Sequence, residues 1–246
     1  MSHLVIDVGN SRTKAAIFDD HKLVKTDILK YPDTEHVLSY FSGYNIQHSI
    51  ISSVNDDIHD LEDALAQRTN YIRFSAELNN SIDNRYKTPG TLGLDRLAGI
   101  VGAKTLYPGV DCLVIDAGTC ITYDAIDKNC VYKGGSISPG LNMRFKAMHT
   151  FTARLPLVEL ADFVGLEGYD TVTSMLSGVV NGTLSEMQGF IENYRSRYSD
   201  LQIILCGGDA NFFDTRLKSS IFAHTLKNEP HLVLIGLNEV IYQQND

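Results

Sequence analysis

Two short segments of the chain combine an aspartate with a glycine turn, which suits phosphate and cation binding. They read Asp7-Val8-Gly9-Asn10-Ser11 and Asp116-Ala117-Gly118-Thr119, and each follows an apolar run. A tight glycine turn exposes consecutive backbone N–H groups that can converge on phosphate oxygens. A carboxylate repels phosphate, so we expect each aspartate to hold a cation or its water shell. Neighbouring side chains add further hydrogen-bond donors (Asn10, Ser11, Thr13 and Thr119).

The two segments occupy matching positions of an internal repeat. Residues 4–19 (LVIDVGNSRTKAAIFD) align without a gap with residues 113–128 (LVIDAGTCITYDAIDK). Each copy predicts a β-hairpin with the aspartate and the glycine turn at its tip. Either copy alone could be a simple turn, because Asp and Asn favour turns. Two copies in matched frames favour phosphate binding.

The elements that must position these tips alternate along the chain. The predicted strands are Ser49–Val54, Tyr71–Phe74, Val131–Ser136 and Leu201–Leu205. The predicted helices are Ile58–Arg68, Asp95–Leu106, a helix opened by Pro139 toward His149, Thr171–Arg197 and His231–Gln243. This alternation predicts an α/β protein with a mixed sheet in each half. The boundary falls near residues 107–111, which divides the chain into lobes 1–108 and 109–246.

Composition and charge argue against several classes of function. The net charge of −9 and the lack of a long Lys/Arg run disfavour nucleic-acid binding. No apolar run approaches the roughly 20 residues that span a bilayer, and the N-terminus lacks signal-peptide features. The four cysteines and eight histidines show no metal-ligand spacing. These features predict a cytoplasmic protein without nucleic-acid or membrane partners and without structural zinc.

Familiar phosphate motifs are absent, but the motifs present resemble a known family. The chain has neither a G-x-x-x-x-G-K-[ST] loop nor a G-x-G-x-x-G fingerprint after a strand. The paired Asp–Gly hairpins resemble the actin, Hsp70 and sugar-kinase superfamily. The motifs D-x-G-N-S-x-x-K, Gly93-Leu94-Asp95-Arg96 and D-A-G-T, with Tyr86 and the 134–140 stretch GGSISPG, resemble type III pantothenate kinases.

The resemblance implies both a fold and an activity. The expected fold is a pair of duplicated actin-like (ribonuclease H-like) lobes, each a mixed sheet flanked by helices, with a nucleotide cleft between the lobes. The expected activity is transfer of the γ-phosphate of ATP to pantothenate, which gives 4'-phosphopantothenate in the first step of coenzyme A synthesis. The family also implies a homodimer, Mg²⁺, and a monovalent cation, K⁺ or NH₄⁺.

Asp95 is the predicted catalytic base. Its position after Gly93 suggests a helix N-terminus, where it could either cap the helix or face a cleft. The resemblance assigns it to the second role, accepting the proton of the pantothenate hydroxyl. Arg96 could be structural or could bind an anionic substrate in bidentate fashion. By resemblance, the substrate-binding residues are Tyr86, Gly93, Leu94, Asp95, Arg96 and Thr171, where Thr171 is otherwise a helix cap.

The same resemblance assigns the nucleotide and cation ligands. Asp116 is assigned to the monovalent cation, and the turn at 207–209 resembles the adenosine side of the superfamily. Lys14 could contact phosphate or be a solvated strand residue. The residues assigned to ATP are Asp7, Val8, Gly9, Asn10, Ser11, Arg12, Thr13, Lys14 and Thr119.

Two rival functions remain open at this point. A small-sugar kinase of the same superfold would share the hairpins, but the segment from Tyr86 to Arg96 suits the pantothenate family. A non-catalytic regulatory protein that binds nucleotide would keep the fold without the chemistry. The presence of Asp7, Asp95 and Asp116 together argues against an inactive site.

Overall fold

The computed structural model describes residues 1–9, 12–29, 33–53, 58–78, 80–162, 165–218 and 225–245. The strands are β1 Ser2–Val8, β2 Thr13–Asp19, β3 Lys22–Leu29, β4 Ile46–Ser53, β5 Asn70–Arg73, β6 Asp83–Asn84, β7 Cys112–Ala117, β8 Cys120–Ile126, β9 Val131–Pro139, β10 Gln202–Cys206 and β11 Leu226–Asn228. The α-helices are α1 Thr34–Tyr40, α2 His59–Ala66, α3 Leu94–Leu106, α4 Leu141–Phe151, α5 Thr171–Arg195, α6 Ala210–Leu217 and α7 Leu232–Asn245. A 3-10 turn covers Pro89–Thr91.

The first sheet contains five strands in the order β3-β2-β1-β4-β5. β1 is antiparallel to β2 and parallel to β4, and β4 is parallel to β5. Leu4, Val5 and Ile6 of β1 are all completely buried. A continuous apolar run is what a central strand needs when both faces of its sheet are covered.

The second sheet repeats the strand order of the first. Its order is β11-β10-β7-β8-β9-β6, so the run β9-β8-β7-β10-β11 corresponds to β3-β2-β1-β4-β5. β7 is parallel to β10, and β10 is parallel to β11, as are their counterparts in the first sheet. The repeat seen in the sequence is therefore a repeat of topology, with an aspartate on the central strand of each sheet.

The described chain divides into two compact units. Unit 1 comprises residues 1–109, 126–134 and 231–246, and unit 2 comprises residues 110–125 and 135–230. The chain first passes from unit 1 to unit 2 after residue 109, next to the predicted boundary. Unit 1 also includes residues 126–134 and α7. The division into domains 1–108 and 109–246 stays a prediction.

Each unit has its own apolar core. In unit 1 the β1–β2 hairpin packs with α1 and α2, and its core includes Ile17, Leu61 and Leu65. In unit 2 the buried face of α5 belongs to the same apolar core as β7 and β10, with Met187 and Ile191 completely buried. Full burial of one such side chain contributes about 1.5–3 kcal/mol.

One predicted helix start is wrong. Pro139 does not open α4, because it is the last residue of β9, and Gly140 is the N-cap of the helix. A proline at the end of a strand sacrifices no necessary hydrogen bond, so the strand can continue through it. Over the residues described, no helix has both the length and the hydropathy required to cross a membrane.

Candidate active site

The β1–β2 hairpin places its aspartate and glycine at the tip, as predicted. Asp7 is paired with Lys14 in antiparallel register, and the Gly9 N–H donates to the Arg12 carbonyl at 3.1 Å. A Cβ at Gly9 would lie 3.3 Å from the same carbonyl oxygen, which is crowded for any larger residue. Asp7 and Lys14 are partly accessible and Arg12 is exposed, so all three side chains can reach a ligand.

The other predicted phosphate ligands of this hairpin are placed differently. Val8 and Thr13 pair with each other, and both are buried. An apolar buried side chain cannot bind phosphate, which limits Val8 to backbone contacts. Asn10 and Ser11 lie outside the described residues.

The tip of the second hairpin is tighter than that of the first. Only Gly118 and Thr119 separate β7 from β8, and the Gly118 N–H donates to the Cys120 carbonyl at 2.9 Å. In the gapless alignment the first residue of β2, Thr13, corresponds to Thr122. β8 therefore begins two residues earlier than its counterpart does.

The start of α4 lies against this second tip. The Gly140 N–H donates to the Thr119 carbonyl at 3.1 Å, and a Cβ at Gly140 would lie 2.6 Å from that oxygen. The Thr119 side chain is exposed. The N-terminus of a helix carries partial positive charge and favours nearby anions. The glycine thus brings a favourable dipole close to the predicted phosphate-binding turn.

The turn after β10 also lies against this tip. Gly207 has φ of +96°, and a Cβ there would lie 2.5 Å from the Ala117 carbonyl oxygen and would also crowd the Asp116 carboxylate. The Asp209 N–H donates to the Ala117 carbonyl at 2.8 Å. The turn at 207–209 and the Asp116 tip therefore form one cluster in unit 2.

Asp95 stands in the first turn of α3 with its side chain exposed. Gly93 is the N-cap, with φ of −57° and ψ of 129°, and no side chain caps this helix. The Asp95 Oδ1 accepts from the Arg96 N–H at 2.8 Å and lies 2.5 Å from where a Cβ of Gly93 would be. The N-cap of α3 is therefore Gly93 and not Asp95, and a side chain at residue 93 would have to displace the Asp95 carboxylate.

Arg96 is held between two tyrosines in unit 1. It is 7% exposed, and its Nη2 donates to the Tyr132 hydroxyl at 3.2 Å. Its guanidinium carbon lies 5.7 Å from the centre of the Tyr86 ring, within range of a cation–π interaction. The two rings stack with centres 6.3 Å apart and planes at 14°. The structure thus brings together Tyr86 and Arg96, which sequence analysis selected separately.

The last two predicted substrate residues each begin a helix. Leu94 opens α3 and Thr171 opens α5. The cap of α5 is Asp170, whose Oδ1 accepts from the Thr173 N–H at 2.7 Å, so Thr171 is not the cap. Hydrogen bonds from Thr173 hold the pKa of the Asp170 carboxyl below its ordinary value. Thr171 is exposed one residue inside the helix.

The acidic groups near the tips fit a cation held by few protein ligands. Among the residues that the structure describes, no group of three or more His, Cys, Asp or Glu side chains could bind a metal. Mg²⁺ typically takes one or two carboxylates and completes its shell with water and substrate phosphate. Asp116 is partly accessible and lies beside backbone carbonyl oxygens, so this tip offers oxygen ligands to a cation, which the resemblance identifies as the monovalent one.

Sequence analysis missed Tyr132 as part of this site. It lies on β9, far along the chain from Arg96, and it belongs to no recognised motif. An aromatic residue shortly before the Gly134-Gly135 pair is the signal that could have indicated it, because glycines in a strand often mark a close approach by another group.

Solved structures support the fold. A Baf-family protein from Campylobacter jejuni is 23% identical, with 98% of each chain covered and a TM-score of 0.61. The activator of the 2-hydroxyisocaproyl-CoA dehydratase from Clostridium difficile, solved with bound ADPNP, is 10% identical, with 100% of this chain and 97% of that chain covered and a TM-score of 0.57. With the repeated sheet order, these similarities confirm the duplicated actin-like α/β fold.

The family follows from sequence similarity. The sequence profile of the family described as type III pantothenate kinase matches residues 3–193. A type III pantothenate kinase from Phocaeicola vulgatus is 44% identical over 247 aligned residues, which cover 97% of each chain. The chain belongs to the type III pantothenate kinase family.

Proposed function

We propose that this chain is an ATP-dependent kinase that phosphorylates pantothenate to 4'-phosphopantothenate, the first step of coenzyme A synthesis. The observation that carries the proposal is the family match over residues 3–193, which includes Asp95 and both hairpin tips. An exposed Asp95 beside the Tyr86–Arg96 pair supports it, because a base and an anion-binding group then share one short helix start.

In the proposed reaction the primary hydroxyl of pantothenate attacks the γ-phosphorus of ATP. The new O–P bond forms as the bond to the β–γ bridging oxygen breaks, ADP leaves, and the hydroxyl proton passes to Asp95. An aspartate carboxylate is a weak base. A loose, metaphosphate-like transition state requires orientation and late proton removal, so a weak base suffices.

The acceptor would bind through the start of α3 and its surroundings. Arg96 would face the pantothenate carboxylate, while Gly93 and Leu94 would contribute backbone contacts. Tyr86 would pack against the acceptor, and Thr171 would contact it from α5. A planar guanidinium matches a carboxylate in bidentate geometry, which suits Arg96 to this role.

ATP would bind through the two Asp–Gly hairpins. Backbone N–H groups at the tips and the exposed Arg12 and Thr119 side chains would contact phosphate oxygens, and Lys14 would add a positive charge. Asp7 would face the cation-bound phosphates. We also assign Asn10 and Ser11 to this group by their place in the motif. The nucleotide cleft between lobes stays a prediction.

Membership of a kinase family implies ATP and a divalent metal, for which Mg²⁺ is the proposed ion. The metal would supply charge neutralisation at the phosphates when bound. We assign Asp116 to a monovalent cation, K⁺ or NH₄⁺. A triphosphate next to Asp7 and Asp116 brings several negative charges together, so cations are needed for assembly.

A homodimer is part of the proposal. Unit 2 exposes several large apolar side chains around α4, the following loop and the start of α5, namely Met143, Phe151, Leu157, Leu166, Tyr169 and Val172. Exposed apolar groups of this kind are common where proteins associate. Sedimentation should show a species of twice the 27.3 kDa chain. We place the enzyme in the cytoplasm, where ATP is available.

The decisive test is a coupled ADP-release assay with and without pantothenate, in potassium and then in sodium. We expect pantothenate-dependent release in potassium and much less in sodium. Release that depends on glucosamine-type sugars instead would favour the sugar-kinase alternative. Binding of ATP without release of ADP from any acceptor would favour a regulatory protein.

A further inference from the structure

Tyr132 is a fully buried tyrosine on β9 that contacts the proposed acceptor site. Its hydroxyl accepts a hydrogen bond from Arg96 Nη2 at 3.2 Å, and its side chain is completely inaccessible. Its backbone is also fixed, because its carbonyl accepts from the Arg85 N–H at 2.8 Å. β9 thus presents this hydroxyl at a fixed position beside the Arg96 guanidinium.

Gly134 follows Tyr132 by two residues on β9 and lies under the ring of Tyr86. Its φ of +116° favours glycine, and a Cβ there would lie 3.0 Å from Cδ2 of the Tyr86 ring. Residues two apart on a strand face the same side. The Tyr86 ring therefore lies over Gly134 and stacks with Tyr132, and the Arg96 guanidinium is within cation–π range of Tyr86.

The orientation of a guanidinium decides how well it binds a carboxylate. Arginine has many rotatable bonds, and a bidentate pair forms only when the guanidinium plane is aligned with the carboxylate. A buried N–H that loses its partner is also costly. The hydrogen bond from Nη2 to the fixed Tyr132 hydroxyl restricts the rotation of the Arg96 guanidinium before the substrate arrives.

We propose that Tyr132 is a positioning residue for the acceptor substrate: its hydroxyl orients the Arg96 guanidinium toward the carboxylate of pantothenate. This inference rests on the proposed function. It assigns Tyr132 no contact with the substrate and no part in proton transfer. The hydroxyl should therefore affect acceptor binding and leave the chemical step and ATP binding unchanged.

The test compares the unmodified protein with Tyr132→Phe, which removes one oxygen and keeps the ring. We expect the KM for pantothenate to rise about tenfold, the size typical of losing one hydrogen bond to a charged group. The kcat and the KM for ATP should each stay within about twofold. The interaction that is lost binds the acceptor equally well in the ground state and in the transition state, so its loss raises only the KM for pantothenate. Tyr40→Phe is the matched control, because it also removes a buried hydroxyl of unit 1, one that bonds the Ala15 carbonyl.

A second measurement separates positioning from general damage. Calorimetric titration should compare pantothenate with pantothenyl alcohol, which has a hydroxymethyl group in place of the carboxylate. The preference for the acid should fall about tenfold in Tyr132→Phe and stay unchanged in Tyr40→Phe. Equal weakening of both ligands, or an unchanged pantothenate KM, would overturn the inference. If the unmodified protein shows no pantothenate-dependent turnover, the proposed function fails instead.

Discussion

At the scale of single residues, Asp95 occupies a common local position to which we assign a catalytic role. It is the second residue of α3, and Asp60 is the second residue of α2. Both are exposed acids in a first helical turn. A negative charge there stabilises the helix by about 0.3–1 kcal/mol through its interaction with the helix dipole. Only Asp95 follows a glycine N-cap and precedes a buried arginine held by tyrosines.

Asp95→Asn should lower kcat by about 10²- to 10⁴-fold, the usual contribution of one general base. Asp60→Asn removes an equivalent charge from an equivalent helical position and should leave kcat unchanged. Both variants should lose similar, small amounts of stability. Steady-state ADP release and thermal unfolding test this, and near-normal turnover in Asp95→Asn would remove Asp95 from its proposed role.

The residues of the site divided clearly by what sequence could predict. The positions of Gly9, Asp95 and Asp116 could be predicted because short motifs place them next to turns, while their roles stay predictions. Tyr132 was not, since its value depends on a strand register that brings it to Arg96. The contact of Gly207 with the Asp116 tip could not be predicted from the sequence either, because two glycines after a strand often mark an ordinary turn.

At the scale of elements, α3 is positioned by a close crossing with α7. Gly102 of α3 and Gly236 of α7 are both buried at this contact. A Cβ at Gly236 would lie 2.8 Å from the Gly102 nitrogen, and a Cβ at Gly102 would lie 3.2 Å from the Gly236 nitrogen. The two glycines let the helix backbones touch, and this contact fixes the helix that carries Asp95.

Gly236→Ala should destabilise the protein by about 1–3 kcal/mol, because the added methyl overpacks the crossing. Helix propensity alone predicts the opposite sign, since alanine is favoured over glycine by up to about 1 kcal/mol. Gly182→Ala in α5 is the control, as a Cβ there meets nothing within 4 Å, and it should be stabilising. Urea unfolding followed by circular dichroism measures both, and a stabilised Gly236→Ala would contradict the packing argument.

The elements themselves were only partly predictable. The bounds of α3 and α5 were close to those observed, because long periodic segments give a strong signal. β3, α1 and α6 were not predicted, since short segments with exposed residues give weak periodicity. β6 has two residues and exists through pairing with β9, which no local pattern could reveal.

At the scale of the whole molecule, each unit contains a different pH-sensitive group. In unit 1, burial lowers the pKa of His3, whose Nδ1 lies 2.9 Å from Asn238 Oδ1 on α7. In unit 2, burial alone would raise the pKa of Glu186, but hydrogen bonds from Arg144, Ser138 and Tyr123 outweigh it and lower the pKa overall. Arg144 and Glu186 pair at 2.6 Å and link α4 to α5.

Stability should begin to fall as the pH drops below about 6.5, the ordinary pKa of histidine. The pKa of His3 is lower in the folded state, so acidification protonates the unfolded chain first and favours unfolding. His3→Gln should flatten the change in unfolding free energy between about pH 7 and 5. Urea titrations at several pH values measure it.

Glu186→Gln is the control for that experiment. Its folded pKa is also lowered, so its contribution is present above the ordinary pKa of about 4.3 and is lost as the pH falls through the folded value. This variant should alter the pH profile only in that lower range. An unchanged slope in His3→Gln between pH 7 and 5 would contradict the assignment to His3.

The placement of α7 in unit 1 has a consequence for how a nascent chain folds. During translation α3 is made long before α7, and most of unit 2 lies between them. The side of α3 that carries Gly102 therefore stays uncovered until α7 has left the ribosome. A chain halted after α3 and before residue 231 would hold every motif from the first hairpin to Arg96, yet would lack the helix that packs against α3.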